Sequence, residues 1–237
     1  MITKVAESLG LGSYWNEIIE VLREIIPVYD KVNSAISLGK DGEYRERGIR
    51  GKVEESNLVL DAGSGYGNMS KVALRLCNNN LSIIMLDPIP EMLAKAKTEF
   101  SRKVPLVTGI FEHLPFRDNI FDAVMCGYSF RDAISIRTTI AEFSRILKDG
   151  GRLIIVDIGK PDNALNRFGV SFYLKFILGM LAFFAAGSLG LKFRAIYGTY
   201  KRLPKNAELA KMLKEKFKRV EFETEMSGGA VLIAAYK

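Results

Sequence analysis

Between residues 57 and 158, short apolar runs alternate with segments whose apolar side chains recur every three or four positions. Residues 57–62, 81–87, 104–108, 121–127 and 152–158 read as strands, bounded by Gly, Asn, Asp and Pro. Residues 68–77, 90–100 and 134–147 read as the helices between them. Pro90 stands at a favourable helix start, and Asp149-Gly150-Gly151 closes the last helix. The strand runs are almost continuously apolar, as expected for strands covered on both faces of a parallel sheet. This rhythm predicts a doubly wound α/β fold.

The flanks read differently. Trp15, Ile18, Ile19, Leu22, Ile25 and Ile26 recur at helical spacing and predict an amphipathic helix over 14–26, ended by Pro27. Residues 29–51 are polar, glycine-punctuated and basic at Arg45, Arg47 and Arg50, which predicts a short helix followed by a mobile loop. Residues 168–191 are apolar with one charge, Lys175. A helix is expected over 206–217. Two strands, 220–226 and 230–236, flank Ser227-Gly228-Gly229 and predict an antiparallel hairpin with a glycine turn. The expected organisation is a single domain with an N-terminal helical cap (1–56), a core (57–160), an apolar lid insertion (161–204) and a C-terminal helix and β-hairpin (205–237).

Composition narrows the class. A chain of 237 residues supports one large core. Cys77 and Cys126 have neither CxxC nor any other metal-ligand spacing, so no metal is expected and a reduced cytoplasmic setting is. The first apolar stretch is interrupted by Glu20, Arg23 and Glu24, unlike a secretory leader. The net charge is +7, and eleven Lys/Arg against five Glu lie between Lys192 and Lys237. Such an excess suits an anionic membrane surface, nucleic acid or simple solubility.

The candidate chemistry centres on Val59-Leu60-Asp61-Ala62-Gly63-Ser64-Gly65-Tyr66-Gly67, an apolar strand running into alternating glycines and then a helix. Glycines there let the backbone approach a nucleotide-like ligand. The dinucleotide fingerprint would need glycine where Asn68 stands, and a phosphate-binding loop would need Gly-Lys-Ser/Thr. Asp87 ends the second strand, where a carboxylate can accept hydrogen bonds from both ribose hydroxyls of an adenosyl group. Asp61, ending the first, can orient the glycine loop or receive an ammonium group.

Together with Leu86-Asp87-Pro88-Ile89-Pro90, Glu112-His113-Leu114-Pro115-Phe116 and Leu147-Lys148-Asp149-Gly150-Gly151, this block resembles the class I S-adenosylmethionine-dependent methyltransferases. The resemblance implies a Rossmann-like, seven-stranded, mostly parallel sheet with the last strand antiparallel. It assigns S-adenosyl-L-methionine, which becomes S-adenosyl-L-homocysteine, to Asp61, Gly63, Ser64, Gly65, Tyr66, Gly67, Asp87, Pro88, Phe111, Glu112 and Gly127. Ile110 departs from the family pattern, which often has Asp or Asn there. Adenine would then rest on the backbone near Phe111 and on Ile89 and Phe111. His113 reads as a loop-packing residue and Cys126 as a small core residue.

Tyr29-Asp30-Lys31-Val32-Asn33 with Ile36-Ser37-Leu38-Gly39, Ser129-Phe130-Arg131-Asp132 and Ser227-Gly228-Gly229 resemble signatures of the UbiE/MenG quinone C-methyltransferases. That resemblance implies a reduced prenylated quinone or related lipid as acceptor. Another apolar small molecule is the alternative, with RNA behind it; no aromatic-basic RNA module is evident. Arg131, Tyr29 and Asp132 become the catalytic candidates, and Asn33 and Tyr128 the substrate-binding ones. For Arg131, stabilising a phenolate competes with an ion pair to Asp132 or Asp157. For 168–191, a buried helical lid competes with a lid that touches an anionic membrane at its inner face. The oligomeric state stays open.

Overall fold

The computed structural model describes residues 23, 24, 26–37, 39–55, 57–100 and 104–237. The helix expected over 14–26 lies, but for residues 23, 24 and 26, outside them. In chain order the elements begin with α1 (Tyr29–Ile36), α2 (Asp41–Ile49), β1 (Leu58–Ala62), α3 (Asn68–Leu76), β2 (Ser82–Asp87), α4 (Pro90–Glu99) and β3 (Leu106–Thr108). They continue with β4 (Phe121–Gly127), α5 (Ile136–Ile146), β5 (Leu147–Ile158), α6 (Ala164–Phe172), α7 (Leu178–Ala186), α8 (Ala195–Arg202), α9 (Asn206–Lys214), β6 (Arg219–Glu225) and β7 (Ala230–Tyr236). A π-helical stretch, Tyr173–Ile177, joins α6 to α7, and a 3₁₀ stretch, Gly187–Arg194, follows α7.

The chain forms two compact units. The larger, residues 42–170 and 202–237, holds the sheet, in the order β3-β2-β1-β4-β5-β7-β6. β1 to β5 pair in parallel, while β7 runs antiparallel to both β5 and β6. This is the Rossmann-like arrangement the sequence predicts. The central strands bury nearly every side chain, and Leu60, Val124, Ile155 and Ile233 meet Phe143 and Leu213 in one core. α5 begins at Ser135, whose Oγ accepts the Thr138 N–H.

The mobile loop expected after α1 is instead helix α2. Tyr44, Arg45, Gly48 and Ile49 are its buried residues, a pattern hidden in the sequence because one of the four is charged. Gly48 is required for close approach, since a Cβ there would lie 2.4 Å from Val156 Cγ2 on β5. Arg47 fixes α2 to the far edge of the sheet through Glu225 (2.8 Å) and Glu223 (3.3 Å).

The smaller unit takes the described residues up to Asp41 together with Ser171–Lys201. In it α7 packs against α1. The helical stretch Ala164–Phe193 is long and apolar enough to cross a membrane, yet only 28% of its most apolar window is buried. Its exposed side chains include Leu165, Phe168, Phe172, Phe176, Met180 and Phe184. From Phe172 to Phe184 their spacing of four makes one apolar stripe, roughly 18 Å long at about 1.5 Å per residue.

Candidate active site

β2, β1 and β4 lie side by side, and their C-terminal ends carry Asp87, Asp61 and Gly127. In a parallel sheet this end is where ligands bind. Glycines bring the chain round from β1 to α3, with Gly63, Gly65 and Gly67 at φ of 65°, 55° and 91°. The Gly63 and Ser64 N–H groups both donate to the Leu86 carbonyl, at 2.8 and 3.0 Å. A Cβ on Gly63 would strike Ser129 and the Phe111 ring, whereas one on Gly65 would meet nothing within 4 Å. The loop is therefore packed at its start and open at its middle.

Asp87 holds that middle. Its Oδ2 accepts the Gly65 N–H at 2.8 Å and its Oδ1 the Ile89 N–H at 2.9 Å. Burial pushes its carboxyl up to about 7, against those two bonds and with the added repulsion of Asp61 and Asp132. Asp61 is fully buried. Its Oδ2 accepts the Ser70 N–H at 3.1 Å and hydroxyl at 2.6 Å, tying the strand end to the first turn of α3. Its Oδ1 has no hydrogen-bond partner among the described residues. Burial raises this carboxyl to about 6, opposed by Ser70 and by the charge of Arg45.

Around the loop, Tyr66 is buried with the Lys95 ammonium 4.0 Å from its ring centroid, Ser64 is buried, and Pro88 is half-buried. Phe111 is buried and meets Phe143 edge-on at 5.5 Å. Glu112 does a different job at its Oε1, which accepts the Ile134 and Ser135 N–H groups and the Thr139 hydroxyl. It anchors the 110–116 segment to the start of α5, and its Oε2 has no partner among the described residues. His113 is exposed, and Cys126 is wholly buried, with its thiol raised by that burial.

After Gly127 the chain turns sharply, and Tyr128 takes a positive φ of 59°. Its N–H donates to the Val156 carbonyl at 2.7 Å. Arg131 clamps this turn from beneath. Its Nη1 donates to the Tyr128 carbonyl and to Asp157 Oδ1 (2.8 Å), and its N–H donates to Asp157 Oδ2 (3.0 Å). Asp132 lies beside it, 3.8 Å from Nε, and is more exposed than Arg131. Of the two roles weighed for Arg131, the ion pair with Asp157 is the one the geometry displays. Tyr29 and Asn33 lie on α1, in the smaller unit, and Asn33 Nδ2 has no hydrogen-bond partner among the described residues.

Two contributors escape the sequence reading. Ser70 is visible only as an ordinary helix residue, although its place just inside the helix start is a signal. Arg45 falls in the segment expected to be a loop. It is 5% exposed, and its guanidinium carbon stands 4.6 Å from the centroid of the Tyr128 ring.

The open middle of the loop and the unpartnered Oδ1 of Asp61 fit S-adenosylmethionine, whose ammonium needs an acceptor and whose ribose needs a carboxylate. Comparison with known proteins points the same way. Residues 12–237 match the ubiE/COQ5 methyltransferase family. A 2-phytyl-1,4-naphtoquinone methyltransferase of Nostoc punctiforme is 30% identical, over 75% of this chain and 78% of its own. A demethylmenaquinone methyltransferase of Oceanobacillus iheyensis is 28% identical, over 92% and 93%. Among solved structures, the methyltransferase of the Haloferax volcanii Trm112 activator complex shares the fold. Its TM-score is 0.62 at 17% identity, over 90% of this chain and 96% of its own.

Proposed function

Because this chain belongs to the ubiE/COQ5 methyltransferase family and has S-adenosylmethionine as its methyl donor, we propose that its acceptor is a ring carbon of a reduced, prenylated quinone. The observation that carries this reading is that both relatives are named for quinone acceptors, the second matching over 92% of the chain. When bound, S-adenosylmethionine supplies an electrophilic methyl group on its sulfonium sulfur. Asp61, Asp87 and the 63–67 loop bind it, with Pro88, Phe111 and Gly127 at its borders.

The quinol ring is a phenol, and its carbon becomes a better nucleophile as the hydroxyl proton leaves. Asp132 is the group that takes this proton, and Tyr128 holds the ring. Arg131 is a positioning residue. Its guanidinium is committed to Asp157 and the Tyr128 carbonyl, so it sets the turn that presents Tyr128 and Asp132.

A quinol with a prenyl tail resides in lipid, and the exposed stripe from Phe172 to Phe184 suits contact with a membrane surface. Lys175, whose ammonium lies 5.0 Å from the Phe176 ring centroid, adds a positive charge for anionic headgroups. A single crossing is incompatible with the sheet. β7, after this helix, pairs with β5, before it, so both ends of the helix lie on one side. This supports contact with the interface over a single crossing.

The test is methyl transfer from labelled S-adenosylmethionine to reduced prenylated naphthoquinones and benzoquinones, to other apolar small molecules and to RNA. Label is expected in the ring of a quinol. Label confined to another acceptor would replace this reading.

A further inference from the structure

Arg45 presents a buried cation at the ligand-binding end of the sheet. It sits on α2, which Gly48 lets down against β5 and Arg47 ties to β6. The guanidinium reaches the ends of two strands. A Cβ on Gly127 would come within 2.9 Å of its Nη1, and its charge acts on the Asp61 carboxyl at the end of β1. Yet it makes no hydrogen bond or salt bridge to the described residues around it. Beside it lies the face of the Tyr128 ring, its centroid 4.6 Å from the guanidinium carbon, which attracts a cation without accepting its N–H groups as a carboxylate would.

A guanidinium on a residue 5% exposed, with a ring face as its neighbour, has N–H donors to spare for an anionic group of a ligand. Arg145 offers the contrast. It is engaged by Glu142 and Asp118 and by two backbone carbonyls. Beside Arg45, Asp61 offers the opposite deficit, a buried carboxylate oxygen without a donor. An unfilled cation and an unfilled anion at neighbouring strand ends are complementary to one chemical group, the zwitterionic end of an amino acid.

We propose that Arg45 binds the α-carboxylate at the methionine end of S-adenosylmethionine, while Asp61 Oδ1 takes its ammonium group. This rests on the S-adenosylmethionine reading above and adds a specificity residue to it. Arg45 reads the amino-acid end, and Asp87 the ribose. The planar fork of an arginine suits a carboxylate, which it can bind through two parallel bonds.

Calorimetry tests this without turnover. Wild type, Arg45→Met and Arg45→Lys are titrated with S-adenosylhomocysteine and with 5′-methylthioadenosine, which keeps the adenosine and lacks the amino-acid end. Arg45→Met is expected to bind S-adenosylhomocysteine roughly 10- to 100-fold more weakly, the scale of a lost charged hydrogen bond. Its affinity for 5′-methylthioadenosine should stay within about twofold, a change that corresponds to no lost hydrogen bond. Arg45→Lys, which keeps the charge and loses the fork, should fall between, with its loss confined to S-adenosylhomocysteine. Equal weakening of both ligands would make Arg45 a structural residue acting through Tyr128 and overturn the proposal. Unchanged S-adenosylhomocysteine affinity would overturn it as well. Failure of the wild type to bind either compound would sink the S-adenosylmethionine reading and this proposal together.

Discussion

Arg131 and Asp157 form an ion pair at 2.8 Å with side chains only 7% and 2% exposed, and the same carboxylate also accepts the Arg131 N–H. A pair this deeply buried depends on both partners, because removing one strands the other charge. Arg131→Ala is therefore expected to cost about 3–5 kcal/mol of stability. Urea unfolding would measure it, and a loss below about 1 kcal/mol, the range of an exposed pair, would contradict the buried clamp. Activity lost in that variant must be compared at equal folded fraction.

The acids at the strand ends make stability and binding move oppositely with pH. Asp61 at about 6 and Asp87 at about 7 lie above the 3.8 of an unperturbed aspartate. The folded protein thus binds protons more tightly than the unfolded chain at these two groups. Their contribution to stability rises as pH falls from about 7 toward 4, and it is lost as pH rises through 6 to 7. On the proposed binding by ionised carboxylates, cofactor affinity falls over the same acid range. Thermal melts with and without S-adenosylhomocysteine between pH 5 and 8 should show the ligand-induced shift shrinking on acidification. A shift independent of pH would exclude these carboxylates as ligands.

Asp87→Asn tests the centre of the loop. An amide keeps the size but presents a donor where one of two N–H groups must be accepted. The expected loss in S-adenosylhomocysteine affinity is roughly 10- to 100-fold, again measured by calorimetry. An unchanged value would mean that the loop does not need its carboxylate staple.

Phe168 and Phe184 are 68% and 78% exposed. Replacing both with Glu should change stability by no more than about 0.5 kcal/mol per site, as for other exposed positions. The same change should abolish co-sedimentation with vesicles containing anionic lipid. Retained co-sedimentation, or none in the wild type, would exclude these side chains as a lipid contact.

Much of the core was legible because its strands carry a simple signature. β4 runs from Phe121 to Gly127 in the sequence pattern and in the structure alike, and β1, β2 and β3 shift by one or two residues at their starts. β5 is longer than expected because Leu147 already pairs with Phe121 before an irregularity resumes the ladder at Arg152. Asp61 and Asp87 were legible because chemistry and position coincide at a strand end. Arg45 was not, since a charged residue on a buried helix face runs against hydrophobic periodicity. Glu112 shows a further limit. Its motif marks the right segment, while its structural bonds to Ile134, Ser135 and Thr139 depend on residues more than twenty positions away.

The antiparallel strand β7 has a consequence for how the chain is made. It lies between β5 and β6, and Arg152 pairs with Tyr236 across the whole intervening stretch, the apolar helix included. During synthesis, β5 therefore emerges with an unfilled edge, and residues 164–193 follow it before the partner strand exists. An open strand edge beside an uncovered run of phenylalanines is prone to aggregate. A nascent chain of this protein should depend on a chaperone, or on early contact with lipid, until β7 slides into its slot.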